Sequence, residues 1–138
     1  MIWKSPENVI WNTLISDADF TSIAGHKVYP NIAPASTSLP FAVWRRSNVR
    51  REQTLGRPVG VPVVGLELQI YAGTYFVARK AADAARSILD GFTGTFDNTE
   101  VSLCRLDSES DGIAAIDGSE VPNAYLISQE YEILWQEI

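Results

Sequence analysis

The stretch from Val63 to Gly91 constrains the fold most, because its apolar pattern changes from a period of two to a period of 3.6. The first part alternates apolar and polar residues, which predicts a strand with one buried face. Thr74 then predicts the N-cap of a helix from about Tyr75 to Asp90, and Gly91 suits the residue after its end. The strand's apolar residues are Val64, Leu66, Leu68 and Ile70; the helix stripe is Ala78, Ala81, Ala82, Ala85, Ile88 and Leu89. We expect this helix to pack on the sheet that contains the strand.

The remaining periodic segments predict an α+β fold of about four main strands in a mainly antiparallel sheet, with two helices packed on one face. Ser5-Pro6 predicts the start of an N-terminal helix, and Asp17 caps a further helical turn or two that ends at Gly25. Lys27–Pro30 predicts a short edge strand. The main strands are predicted at 41–49, 64–71, 96–106 and 127–136. At 138 residues the chain is long enough for one domain, 1–138, and too short for two of ordinary size.

Three segments are predicted to connect these elements. Residues 31–40 are rich in Pro, Ser, Thr and Ala and predict a surface loop. Residues 51–63 contain two glycines and two prolines at close spacing, which predicts a projecting hairpin or an extended loop. Residues 108–119 are polar and acidic, and we expect a loop there as well.

Charge is distributed unevenly along the chain, whose formal net charge is −6. Residues 1–60 contain seven basic and four acidic residues, whereas residues 97–138 contain one basic and ten acidic residues. Five of the eight arginines lie between Arg45 and Arg57. This asymmetry predicts one basic region on an acidic background, which suits binding to a partner or to a second copy of the chain.

The residues that carry catalytic chemistry are scarce, and we expect no enzyme activity, no cofactor and no metal site. The chain has one histidine, His26, and one cysteine, Cys104, and it contains none of the HExxH, CxxC or EF-hand spacings. Cys104 lies in a strand pattern and is expected to be a small buried residue rather than a reactive thiol. The acids Asp107, Glu109 and Asp111 fall in one polar stretch, which favours solvated charge over a catalytic carboxylate pair.

No targeting or membrane segment is predicted. No apolar run approaches 18 residues, and the first residues lack the basic start and long apolar stretch of a secretory signal. A single cysteine excludes an internal disulfide. We therefore expect a soluble protein that is made in the cytoplasm, with no membrane partner.

The arginine cluster is the polar feature with the most functional content. We predict that Arg45, Arg46, Arg50, Arg51 and Arg57 form an interface with a partner or a neighbouring subunit. The alternative is a solvated strand end and loop. Among contacts, protein is favoured over nucleic acid, because the net charge is negative and the segment lacks interleaved aromatic residues after Trp44.

The order of these elements resembles the tail-completion, or tail-terminator, proteins of long-tailed bacteriophages and gene transfer agents. The resemblance rests on the N-terminal helix, Lys27–Pro30, the run Leu39–Trp44, the strand Leu66–Ala72 with its alanine-rich helix, and the final strand Tyr131–Trp135. It implies a structural virion protein that forms a homo-oligomeric ring, usually of six copies. The ring would cap the tail tube and join it to the head connector, with the tail tube protein and the connector or neck protein as partners.

The resemblance also allows DNA to pass through the lumen of the ring without specific nucleic-acid binding. A second interpretation is another phage neck or head-closure protein, or a tail-tube subunit, of similar fold. A third is a small enzyme or a nucleic-acid-binding regulator. The long helix disfavours this third class, because its only basic residues are Arg79, Lys80 and Arg86.

Overall fold

The computed structural model describes residues 6–34, 37–50, 53–54, 57–58, 63–96, 98–115 and 123–137. These residues form three α-helices and eight β-strands. The helices are α1 (Pro6–Ser16), α2 (Ala18–Ala24) and α3 (Tyr75–Leu89). The strands are β1 (Val28–Pro30), β2 (Phe41–Arg50), β3 (Gln53–Thr54), β4 (Arg57–Pro58), β5 (Val63–Ala72), β6 (Phe92–Phe96), β7 (Thr99–Ala115) and β8 (Asn123–Glu137).

Six of the strands form one mixed sheet in the order β1-β2-β5-β8-β7-β6. β1 runs parallel to β2, and the other neighbouring strands are antiparallel. β3 and β4 pair with each other in a separate two-stranded hairpin between β2 and β5. The predicted α+β class is therefore confirmed, and the described residues of the predicted hairpin or extended loop pair as β3 and β4.

The predicted numbers of elements are wrong: among the described residues the main sheet has six strands rather than about four, and there are three helices rather than two. The helix α2 has seven residues, too few for a helical period to stand out in the sequence. The strand β6 reads Phe-Thr-Gly-Thr-Phe, which is short and has only two large apolar residues, Phe92 and Phe96.

The core lies between one face of the sheet and the helices. On β5, Leu66 is 1% exposed, and Leu68 and Ile70 are fully buried. The alanine face of α3 packs against the same cluster, so the helix axis can come close to the sheet. The Thr74 side chain accepts a hydrogen bond from the Val77 backbone N–H at 3.2 Å, which confirms the predicted N-cap. The strand-and-helix unit is thus formed as the sequence predicts.

The N-terminal helices close one side of this core. α1 begins at Pro6 and buries Val9, Ile10 and Leu14. The Asp17 side chain caps α2 by accepting a hydrogen bond from the Phe20 backbone N–H at 2.9 Å. Capping satisfies a helix N–H that has no partner within the helix, so α2 is stable despite its length.

A buried polar network links α3 to β8. The fully buried side chain of Gln129 donates hydrogen bonds from Nε2 to the Ala82 carbonyl oxygen at 2.9 Å and to Glu109 Oε2 at 2.7 Å. Its Oε1 accepts from the Tyr131 hydroxyl at 2.8 Å. Burial raises the pKa of Tyr131 well above its usual value. Because buried polar groups need partners, this network fixes the register between the helix and the sheet.

The prediction of a loop at 108–119 is wrong as far as Ala115, and residues 116–119 lie outside the described residues. β7 runs through this acidic stretch and pairs with β8 from Thr99 to Ala115. Its residues from Asp107 to Ile113 are exposed on both faces. An exposed strand has no buried face, so the sequence carries no alternating apolar pattern to reveal it.

β2 carries a bulge that brings it close to Gly65. The register between β2 and β5 shifts between Arg46 and Asn48, which leaves Ser47 as the extra residue. A Cβ atom on Gly65 would lie 2.5 Å from Ser47 Oγ and 3.1 Å from Asn48 Oδ1. A larger residue at this position would therefore displace the side chain of Ser47 on the neighbouring strand.

Candidate assembly surface

The first two of the predicted interface arginines lie on opposite faces of the sheet. Arg45 and Arg46 are consecutive residues of β2, so their side chains project to opposite sides. Arg50 ends β2 and Arg57 begins β4, but their side chains lie outside the described part of the structure, as does the whole of Arg51. The structure thus separates the first two members of the cluster.

Arg45 lies on the face of the sheet away from the helices. Its Nε donates to Oε1 of Glu67 on the neighbouring strand β5 at 2.8 Å. The hydrogen bond that Arg45 donates to Glu67 and the negative charge of Glu67 raise the pKa of Arg45. The side chain is still half exposed, so the pair adds little to stability and leaves Arg45 accessible to a partner.

Arg46 projects to the helix side of the sheet and meets α1. Its Nε lies 3.6 Å from Oε1 of Glu7, whose side chain is only 1% exposed. Neither carboxylate oxygen of Glu7 has a hydrogen bond among the described residues. Arg46 therefore provides the charge that faces this buried carboxylate, in addition to any contact with a partner.

The face that carries Arg45 is rich in acids, beside the apolar residues Phe41, Val43 and Tyr71. Glu67 and Glu130 are directly opposite each other on β5 and β8. The Ser47 hydroxyl donates to Glu130, and Arg105 Nη2 lies 3.3 Å from Oε1 of Glu132. A depression of about 290 Å³ lies on this face and includes Asn48, Asp107, Glu130 and Glu132 in its lining. Its three carboxylates suit a basic partner and disfavour an anionic one.

The described residues offer little for catalysis. Cys104 is fully buried, and burial together with the charge of Asp90 raises the pKa of its thiol to about 12. A thiol is a weak nucleophile while it remains protonated. His26 is exposed at the end of α2. In the described part of the chain, no group of three His, Cys, Asp or Glu side chains could hold a metal ion.

Comparison with known proteins identifies the family. The model of the family described as "Tail completion protein gp17" matches residues 9–116. The chain belongs to the tail completion protein gp17 family. Its members are structural proteins of the virion tail, and we assign this chain to the virion. No curated protein matches the chain.

The solved structures agree with the fold of this tail completion protein. Thirteen chains match, including one from a structure described as "Virion of native gene transfer agent (GTA) particle". That match has a TM-score of 0.70 at 12% sequence identity and covers 92% of each chain. At this identity the likeness establishes the shared fold. Among the described helices of the tail completion protein, none is long and apolar enough to cross a membrane.

Sequence reasoning missed an exposed apolar cluster on this tail completion protein. Phe76 and Ile113 are each 71% exposed, and the rings of Tyr75 and Tyr125 meet edge to face with centroids 6.0 Å apart. Tyr125 pairs with Ile113 across β7 and β8. The two α3 residues lie outside the alanine stripe, and Ile113 lies in the stretch predicted to be a loop. In the sequence, Ile113 begins the short apolar run 113–116 after the acidic residues, and this run has no alternating pattern.

Proposed function

We propose that this protein is the tail terminator, which forms a ring on the end of the tail tube and joins the tube to the head connector. The match of residues 9–116 to the tail completion family carries this proposal. The ring is a homo-oligomer, and the sequence resemblance implies six copies. The tail tube protein and the connector or neck protein are its partners, and the protein has no catalytic role.

The surface of the chain is consistent with a head-to-tail ring. Such a ring needs two different surfaces on each copy, which meet and close by rotation. The chain has a basic segment at Arg45–Arg57, and its acids are concentrated in the C-terminal third. Opposite charges on the two surfaces would orient each copy against the next and disfavour pairing of like surfaces. The genome would pass through the lumen without sequence-specific contacts.

Light scattering of the purified protein tests the proposal. We expect a closed oligomer, either for the protein alone or after tail tubes are added. Tubes with and without bound protein should then differ at one end in electron micrographs. A protein that remains strictly monomeric at high concentration and does not bind tubes would contradict the proposal.

A neck, head-closure or tail-tube role is the alternative. One observation keeps it open, because the gene transfer agent structure that shares the fold is described as a whole virion. Gold labelling of the protein in intact particles distinguishes the roles by position. Label confined to the junction between tube and head supports the terminator, label along the tube indicates a tube subunit, and label inside the head-side collar indicates a neck protein.

A further inference from the structure

One long strand of the sheet is paired on only one side. β7 pairs with β8 over its whole length, from Thr99 to Ala115, whereas β6 pairs with β7 only between Thr99 and Cys104. Among the described residues, no strand lies beside the outer edge of β7 from Asp107 to Ala115. An open edge of this length is a template for a further strand.

The last contacts along this edge show which backbone groups face outward. The Cys104 carbonyl oxygen accepts from the Gly91 N–H at 2.6 Å, and the Leu106 N–H donates to Asp90 Oδ1 at 2.9 Å. Both groups point away from β8. In an antiparallel pair, the backbone groups of successive residues point alternately toward the partner strand and away from it. The register shift at Asp107 moves this alternation by one residue, so the backbone groups of Glu109, Asp111 and Ile113 point away from β8, to the open side. The edge therefore presents three N–H and three C=O groups.

The opposite edge of the sheet is protected. β1 has only three residues and ends in Pro30, which has no N–H to donate. Short strands and prolines are common means of blocking unwanted strand addition. The open edge of β7 from Asp107 to Ala115 is longer than β1 and contains no proline, so strand addition is favourable there.

The open edge selects for a basic partner. Asp107, Glu109 and Asp111 line it, and all three are exposed. Two of these carboxylates are held in place, since Glu109 accepts from Gln129 at 2.7 Å and Asp111 accepts from the Tyr75 hydroxyl at 2.8 Å. Their charge would repel a second acidic edge and attract a basic strand. The exposed apolar residues Tyr75, Ile113 and Tyr125 lie at the far end of the edge and would add buried apolar area.

The chain itself supplies a strand of the required chemistry. The segment Arg45–Arg57 carries five arginines and contains β3 and the start of β4, whose described residues pair with each other and with no strand of the main sheet. Its sequence continues with the apolar residues Val59 and Val61. The segment is joined to β2 and β5, and β8 lies between β5 and β7, so the segment is on the side of the sheet away from the open edge of its own copy.

We propose that the outer edge of β7, from Asp107 to Ile113, binds the Arg45–Arg57 segment of a second copy as an added strand. The proposal rests on the ring function proposed above and identifies the interface that builds the ring. Backbone hydrogen bonds provide the affinity, and the arginines opposite the acids provide the specificity. Each copy gives its basic segment to one neighbour and its open edge to the other, which is the head-to-tail arrangement that closes a ring.

Charge exchange between two variants tests this interface. We compare an edge variant, Asp107→Lys/Asp111→Lys, with an arm variant, Arg50→Glu/Arg51→Glu. Each should fold, but the affinity between its subunits should fall about tenfold or more. An equimolar mixture should form rings again, because lysine edges then meet glutamate arms and aspartate edges meet arginine arms in alternate copies. Asp19→Lys, at an exposed acid on α2, is the control and should assemble normally.

Amide hydrogen exchange separates strand addition from side-chain contact. In the ring, the amide hydrogens of Glu109, Asp111 and Ile113 should exchange at least about tenfold more slowly than in the monomeric arm variant. Rings that form without this protection, and variants whose mixture does not assemble, would overturn the inference and leave the ring function standing. A wild-type protein that never assembles, even with tail tubes, would overturn both.

Discussion

The Arg46 guanidinium lies 3.6 Å from the Glu7 carboxylate and connects β2 to the first helix. Glu7 is in the first turn of α1, where the helix dipole also favours a negative charge. Its side chain is almost completely buried, whereas that of Arg46 is 58% exposed. A charge removed from water needs a partner, so Arg46 contributes to folding as well as to the surface.

Arg46→Ala should therefore destabilise the protein more than Arg45→Ala. The first change leaves the buried carboxylate without its cation, and we expect the free energy of unfolding to fall by about 1–2 kcal/mol. The second breaks an exposed pair with Glu67 and should cost less than about 1 kcal/mol. Urea denaturation of both variants measures the difference. Adding Glu7→Gln to Arg46→Ala should recover part of the loss, and equal losses in the two single variants would contradict the interpretation.

Leu68→Asp should abolish folding. Leu68 is fully buried beneath α3, and an unpaired carboxylate there costs several kcal/mol, against a total stability of roughly 5–15 kcal/mol. The variant should be insoluble or unfolded by circular dichroism. Gln69→Glu, at the next residue on the other face of β5, is the control and should remain folded. An unchanged melting temperature for Leu68→Asp would show that the two faces of the strand are reversed.

Gly65→Ala should destabilise the bulge in β2. The added methyl would lie 2.5 Å from Ser47 Oγ, so Ser47 must rotate and give up its hydrogen bond to Glu130. We expect a loss of about 1–2 kcal/mol, which is typical of an overpacked site. In the Ser47→Ala background the hydroxyl is absent, so Gly65→Ala should lower the free energy of unfolding by less than it does in the wild-type background. Thermal melts of the four members of this cycle measure the coupling, and strictly additive effects would count against the close contact.

Stability should fall at alkaline pH because Cys104 is buried. Its pKa in the folded state is about 12, against 9.0 for an unperturbed thiol. The unfolded chain therefore releases the thiol proton first, and the stabilisation is complete below pH 9 and is lost as the pH rises toward 12. The raised pKa of Tyr131 acts in the same direction at higher pH.

Cys104→Ala isolates this effect. Between pH 8 and pH 10 the free energy of unfolding of the wild-type protein should fall by about 1 kcal/mol more than that of the variant. The cost of removing the sulfur is the same at each pH and does not affect this difference. Urea denaturation at several pH values provides the measurement. Parallel pH profiles for the two proteins would show that the thiol does not titrate differently on folding.

The sequence by itself determined the elements that have a strong local pattern. β5, α3 and β8 follow from alternating or helical apolar spacing, and Thr74 and Asp17 cap the helices as their positions predict. The loss of burial in β2 after Trp44 was also predictable, because the apolar run gives way to arginines there. These features are local, since each depends on residues within about one turn or one strand.

Only the tertiary structure decided which elements meet and which edges remain open. Arg45 and Arg46 are adjacent in sequence, but one faces Glu67 and the other faces Glu7, because β2 separates consecutive side chains onto opposite faces. The acidic stretch of β7 is a strand because β8 pairs with it, although its exposed faces leave no apolar period. Backbone pairing between distant segments depends weakly on side-chain identity, so a sequence pattern cannot reveal it where neither face is buried.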